Sequence, residues 1–149
     1  MAMNLIDFFH YFEGNWRVTN LATGTVGSLK IRLGTGRVCH ILEIEIGDVQ
    51  RSELWGYDPS DGCWKAIGFS QDGERFSQVM KGLPDHKSPQ SGDRWIALHE
   101  GVLPSGAKTS ARMEFLIESP DIFLVNFTHM RSGDEVIDDF QQRIERHGW

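Results

Sequence analysis

The chain has 149 residues, 40% of them hydrophobic and 24% charged, with a formal net charge of −6. That length supports one hydrophobic core better than two, so residues 1–149 are expected to form one domain. Its 15 basic residues are scattered and outnumbered by acidic ones, which excludes a general nucleic-acid binder, since phosphate neutralisation needs clustered Lys and Arg.

From Asn4 to Phe12 the residues Leu5, Ile6, Phe8, Phe9 and Phe12 recur at a spacing that predicts one short helix, with Asn4 as N-cap and Gly14 as stop. This opening lacks the basic start and continuous apolar run of a secretory signal. No apolar run reaches the roughly 20 residues needed to cross a bilayer. The expectation is a soluble, cytoplasmic protein without membrane insertion, and Cys39 and Cys63 are read as free thiols.

The rest of the chain divides into short β-like runs separated by turn signals. Trp16 to Asn20 is the first and Thr25 to Leu33 the second. Gly34-Thr35-Gly36 turns into Arg37 to Ile46, and Gly47-Asp48 turns into Gln50 to Tyr57. Asp58-Pro59-Ser60-Asp61-Gly62 is a strong hairpin signal, because Pro presets φ and Gly supplies a positive one. Cys63 to Ser70 and Glu74 to Lys81 follow, joined by Gln71-Asp72-Gly73. Gly82 to Gly92 is the longest loop. Asp93 to Val102 resumes the pattern, then Lys108 to Glu118, Ile122 to His129, and a closing run from Glu135 to Arg146. Good helix formers from Gln141 to Arg146 leave a C-terminal helix as an alternative there. About ten strands joined by tight turns predict an all-β, antiparallel up-and-down barrel, since closure removes exposed edges.

Several short motifs, in order along the chain, resemble a family of bacterial lipocalin-like (calycin-type) β-barrel domains of unknown function. They are Phe12-Glu13-Gly14-Asn15-Trp16, similar to that family's opening Gly-x-Trp, and Glu53-Leu54-Trp55-Gly56-Tyr57-Asp58-Pro59, similar to its Gly-Tyr-Asp strand end. Trp64, Gly68, Asp72-Gly73, Gly101, Pro104-Ser105-Gly106 and a closing Arg143 or Arg146 complete the series. The resemblance implies that Trp16 packs over the barrel base against one of those two arginines. A weaker resemblance to nitrobindin-like barrels implies haem ligation by a late histidine, for which His129 is the candidate; Val18 stands where that family has a second Gly.

Linear catalytic motifs are missing: there is no Gly-x-Ser-x-Gly, P-loop or His-Glu-x-x-His. His40, His99 and His129 lie on predicted strands, and if they converged they could bind a metal or share acid–base work. No two share a strand, so the plainer reading is of wall or surface residues. Glu43 and Glu45 alternate with Leu42, Ile44 and Ile46 and read as solvated. The alternate-residue face Arg51-x-Glu53-x-Trp55-x-Tyr57 mixes charge with aromatics, which suits a barrel interior orienting an amphipathic ligand; Arg112 and Glu114 extend it. The expected ligand-binding set is Arg51, Glu53, Trp55, His99, Arg112 and His129, with no catalytic residues and no required cofactor. The first reading is therefore a non-catalytic binder of a hydrophobic or amphipathic small molecule. An isomerase or hydrolase with a Glu or His general base is the second, and a structural or homodimerisation module the third.

Overall fold

The computed structural model describes residues 8–84 and 88–147. Eleven strands form one antiparallel sheet: β1 (Gly14–Asn20), β2 (Val26–Leu33), β3 (Cys39–Ile46), β4 (Val49–Asp58), β5 (Cys63–Ser70), β6 (Arg75–Lys81), β7 (Arg94–Val102), β8 (Lys108–Ser119), β9 (Ile122–Ser132), β10 (Glu135–Ile137) and β11 (Phe140–Arg146). Each strand from β1 to β9 pairs with the next, and β11 pairs with both β9 and β1, so the sheet closes. The segments β10 and β11 lie on the same edge of β9 in a common register, interrupted at residues 138–139. The barrel is thus a closed ten-stranded meander whose last strand is broken near its start.

Period-2 alternation decides which residues fill it. On β3, His40, Ile44 and Ile46 are buried while Glu43 and Glu45 are exposed. On β9 the buried set is Phe123, Val125 and Phe127. The run from Gln141 to Arg146 is strand, not helix, because Gln142 and Ile144 face inward and the edges of β1 and β9 pair with it on both sides. Of the helix expected over Asn4 to Phe12, residues 4–7 lie outside the described residues. Phe8 and Phe9 are helical, and His10–Phe12 form a 3-10 turn.

That short segment plugs one end of the barrel. Phe8 meets Trp95 edge-on at 5.4 Å, Phe9 stacks on Trp64 at 4.0 Å, and Phe12 meets Phe123 edge-on at 5.2 Å. Rings of this size in offset and T-shaped contact supply much of the core's apolar burial. The plug is tied to the wall by Arg146. Its guanidinium lies 4.1 Å from the Trp16 ring, and it donates from Nη1 to Glu13 O and from Nη2 to Tyr11 O, both at 2.8 Å. Of the two candidate arginines, Arg146 therefore makes the Trp16 contact, as its register opposite Trp16 dictates. Gly14 has φ +128°, a conformation that favours glycine, and a Cβ there would crowd Arg146 Nη1 at 3.3 Å.

Cys39 and Cys63 are free thiols. Among the described residues no helix is long and apolar enough to cross a membrane.

Arg146→Met should keep the apolar contact with Trp16 but lose the charge-assisted bonds to the plug and the β8–β9 turn. The expected cost is about 3 kcal/mol in urea-induced unfolding. A loss under about 1 kcal/mol would show that the plug does not depend on this arginine.

Candidate functional site

The end of the barrel opposite the plug is open, and it leads to a small interior cavity of about 70 Å³. Apolar side chains from most strands line the cavity, among them Leu29, Ile44, Met80, Met113 and Val125; its polar lining is Arg51, Glu53, Gln78 and Gln142. Above it lies a wider mouth of about 350 Å³, bounded by residues that include Glu74, His99, Thr109 and Met130. Arg51, Met113 and Phe127 line both spaces and so form the neck between them.

Two polar groupings stand at this end. On β4, Glu53 Oε1 accepts a hydrogen bond from Trp55 Nε1 at 2.9 Å, as two residues apart on one inward face can. Arg51 Nε lies 3.1 Å from Glu53 Oε2, yet it is out of line for a hydrogen bond and has no other protein acceptor among the described residues. The Arg51 guanidinium sits 5.4 Å over the Phe76 ring, which in turn stacks on His99 at 4.8 Å.

The second grouping centres on Glu74, in the turn before β6. Its carboxylate lies 3.0 Å from His99 Nε2 and accepts a hydrogen bond from Thr109 Oγ1, while Ser70 Oγ lies 3.3 Å away. Gln78 Nε2 lies 3.0 Å from His99 Nδ1, so with that amide donating, the ring carries its proton on Nε2 and gives it to Glu74. Burial raises the Glu74 pKa, but the hydrogen bonds from His99 and Thr109 outweigh it. With help from the Arg51 charge, they hold the carboxyl down to about 2. Gly101 makes room for this arrangement. A Cβ there would come within 2.5 Å of Thr109 Oγ1 and 2.6 Å of Glu74 Oε2.

Of the six residues expected to bind ligand, Arg51, Glu53 and Trp55 line the cavity and His99 stands in the mouth wall. The other two lie apart. Arg112 is exposed, on the face of β8 opposite buried Met113 and Ile117, and Glu114 shares its outward parity. His129 is exposed too, with φ 52°, and its Nδ1 lies 3.1 Å from Thr128 Oγ1. His40 is at the plugged end, so the three strand histidines do not converge.

Sequence reasoning passed over Gln78 and Gln142, although each sits between apolar residues on an inward face, as Phe76-Gln78-Met80 and Phe140-Gln142-Ile144. That alternation was the available signal. Glu74 continues the same alternation, two residues before buried Phe76, and it fits there because Gly101 leaves room for it beside Thr109.

No protein-family model matches the chain, and no curated protein matches it.

Because Glu74 titrates near 2 when folded and near 4.5 when unfolded, its contribution to stability is complete above about pH 4.5 and is lost as the pH falls towards 2. Urea midpoints measured from pH 6 to 2 should therefore fall more steeply for the wild type than for Glu74→Gln. Other acidic groups are common to both proteins and cancel. Parallel curves would mean that Glu74 holds no such stabilised charge.

Proposed function

We propose that the protein is a non-catalytic, cytoplasmic carrier or sensor that binds a compact amphipathic small molecule in the barrel, in the manner of the bacterial lipocalin-like barrels it resembles. The observation that carries this reading is the neck, where an under-paired arginine separates an apolar interior from an open mouth. Binding sites are typically apolar walls with a few placed polar groups. Here a ligand's apolar segment lies below Arg51, and its acceptor oxygens face the guanidinium.

Size narrows the class. The interior is roughly half the ~150 Å³ of an apolar cavity that accepts benzene, so only a short apolar segment fits below the neck without side-chain rearrangement. A long acyl chain does not. The open mouth holds the remainder of the molecule.

The same geometry weighs against an enzyme with a His or Glu base. Both ring nitrogens of His99 face wall groups, Gln78 and Glu74, and Phe76 covers one ring face. Glu53 is likewise engaged by Trp55 and Arg51. A general base needs a lone pair within hydrogen-bonding reach of substrate, and those of His99 are turned into the wall.

Titration with an environment-sensitive apolar dye should show saturable binding at one site. Short-chain carboxylates should displace the dye better than long-chain ones. Arg51→Met, alone and with Glu53→Gln to avoid stranding a buried carboxylate, should weaken carboxylate competition at least tenfold while dye still binds. Absence of saturable dye binding by the wild type would overturn the proposal.

A further inference from the structure

Three ligand-type side chains meet at the plugged end, on the other side of the aromatic layer from the mouth. His10 belongs to the 3-10 turn, Glu13 follows it, and His40 is the second residue of β3. Glu13 Oε1 lies 2.6 Å from His10 Nδ1 and 2.9 Å from His40 Nε2, and one ligand atom from each residue lies within 4.8 Å of the other two. The small-molecule reading uses none of them. We propose that His10, Glu13 and His40 form a binding site for one divalent transition-metal cation of the zinc class, with a fourth position left to water.

The donor chemistry selects the cation. Two imidazoles and one carboxylate suit zinc and its neighbours, whereas magnesium and calcium take all-oxygen sets and softer ions favour thiolates. Cys39 is adjacent in sequence to His40 but alternates to the other face of β3, so it does not join the set. The carboxylate supplies one negative charge, and the two imidazoles can bind in neutral form.

The geometry is close to what coordination needs. Zinc–nitrogen bonds of about 2.0–2.1 Å in a tetrahedral site set neighbouring ligand atoms roughly 3.3 Å apart. Both imidazole nitrogens stand closer than that to the Glu13 oxygen, so the ligands need to part by somewhat under an ångström to admit the ion. The mobility and the rigidity are suitably divided. His10 and Glu13 side chains are 34% and 31% exposed, which leaves an entry path, while the His40 side chain is 1% exposed and packs against Phe9 at 5.3 Å. His40 Nδ1 is buried with no partner among the described residues, so Nε2 is the nitrogen presented to the cluster. At present one carboxylate oxygen serves both imidazoles. A dication at that point replaces the shared protons and links the plug directly to β3.

Metal binding to the folded chain alone raises its stability by mass action. The tag-free, EDTA-treated protein should therefore bind zinc chloride with 1:1 stoichiometry in calorimetry, with a matching rise in melting temperature. His10→Ala and Glu13→Gln, both at half-exposed positions, should each weaken binding at least tenfold while retaining a native near-UV spectrum. They keep the test decisive should His40→Ala fail to fold. His129→Ala removes an exposed imidazole elsewhere and should leave affinity unchanged. The proposal is overturned if the wild type shows no saturable 1:1 binding, or if affinity survives in both His10→Ala and Glu13→Gln.

Discussion

The barrel depends on the closure of its first strand against its last, and that closure turns on Arg146 lying against Trp16. A ten-stranded meander has two free edges until β1 and β11 meet, and free edges invite pairing with other chains. The register sets Trp16 directly opposite Arg146. The guanidinium then reaches past the indole to carbonyls of the plug and to Pro120 O and the Asp121 carboxylate at the β8–β9 turn. A lysine could offer the charge but not a planar fork that stacks on a ring while donating in several directions. One side chain thus joins the plug, the seam and a distant turn.

Because that end is sealed by large rings, the polar groups that face inward are concentrated at the other. Burying a carboxylate is costly unless it is paired and hydrogen-bonded, and Glu74 meets that condition through His99 and Thr109. The middle of the barrel is filled by branched and sulfur-containing side chains, which leaves only a small void beneath the neck. The shape is therefore a shallow funnel, wide at the mouth and narrow at Arg51.

Much of this was legible in the sequence, for one physical reason: period-2 alternation is strict wherever strands run regularly. It put Arg51, Glu53 and Trp55 on a single face, and that face points inward. The Gly14-x-Trp16 pair marked the barrel base, though which arginine answered it needed the register of β11. Arg112 was expected in the ligand-binding set, but it alternates with buried Met113 and Ile117 and so lies on the outward face of β8. His129 sits where alternation stops. The β8–β9 register shifts between Ser110 and Arg112, and His129 takes a left-handed conformation that a non-glycine residue rarely adopts. The cluster of His10, Glu13 and His40 was equally hidden, since it joins a turn to a strand 27 residues further on.

Buried polar groups in a well-formed fold are nearly all satisfied, so the departures carry information. Around Glu74 and His99 the polar atoms answer one another, and that part of the wall is complete in itself. Arg51 differs. Its side chain is 18% exposed, its Nε faces Glu53 out of line, and its charge rests over the Phe76 ring rather than in a bidentate pair. Arg51 lines both the cavity and the mouth, so on the proposed reading an entering polar group meets the guanidinium before any apolar segment reaches the interior. A purely structural barrel gains nothing from a charge in that position, because an aliphatic side chain there would fill the neck at lower cost. The under-paired arginine is thus the feature on which the proposed ligand-orienting role of the neck rests.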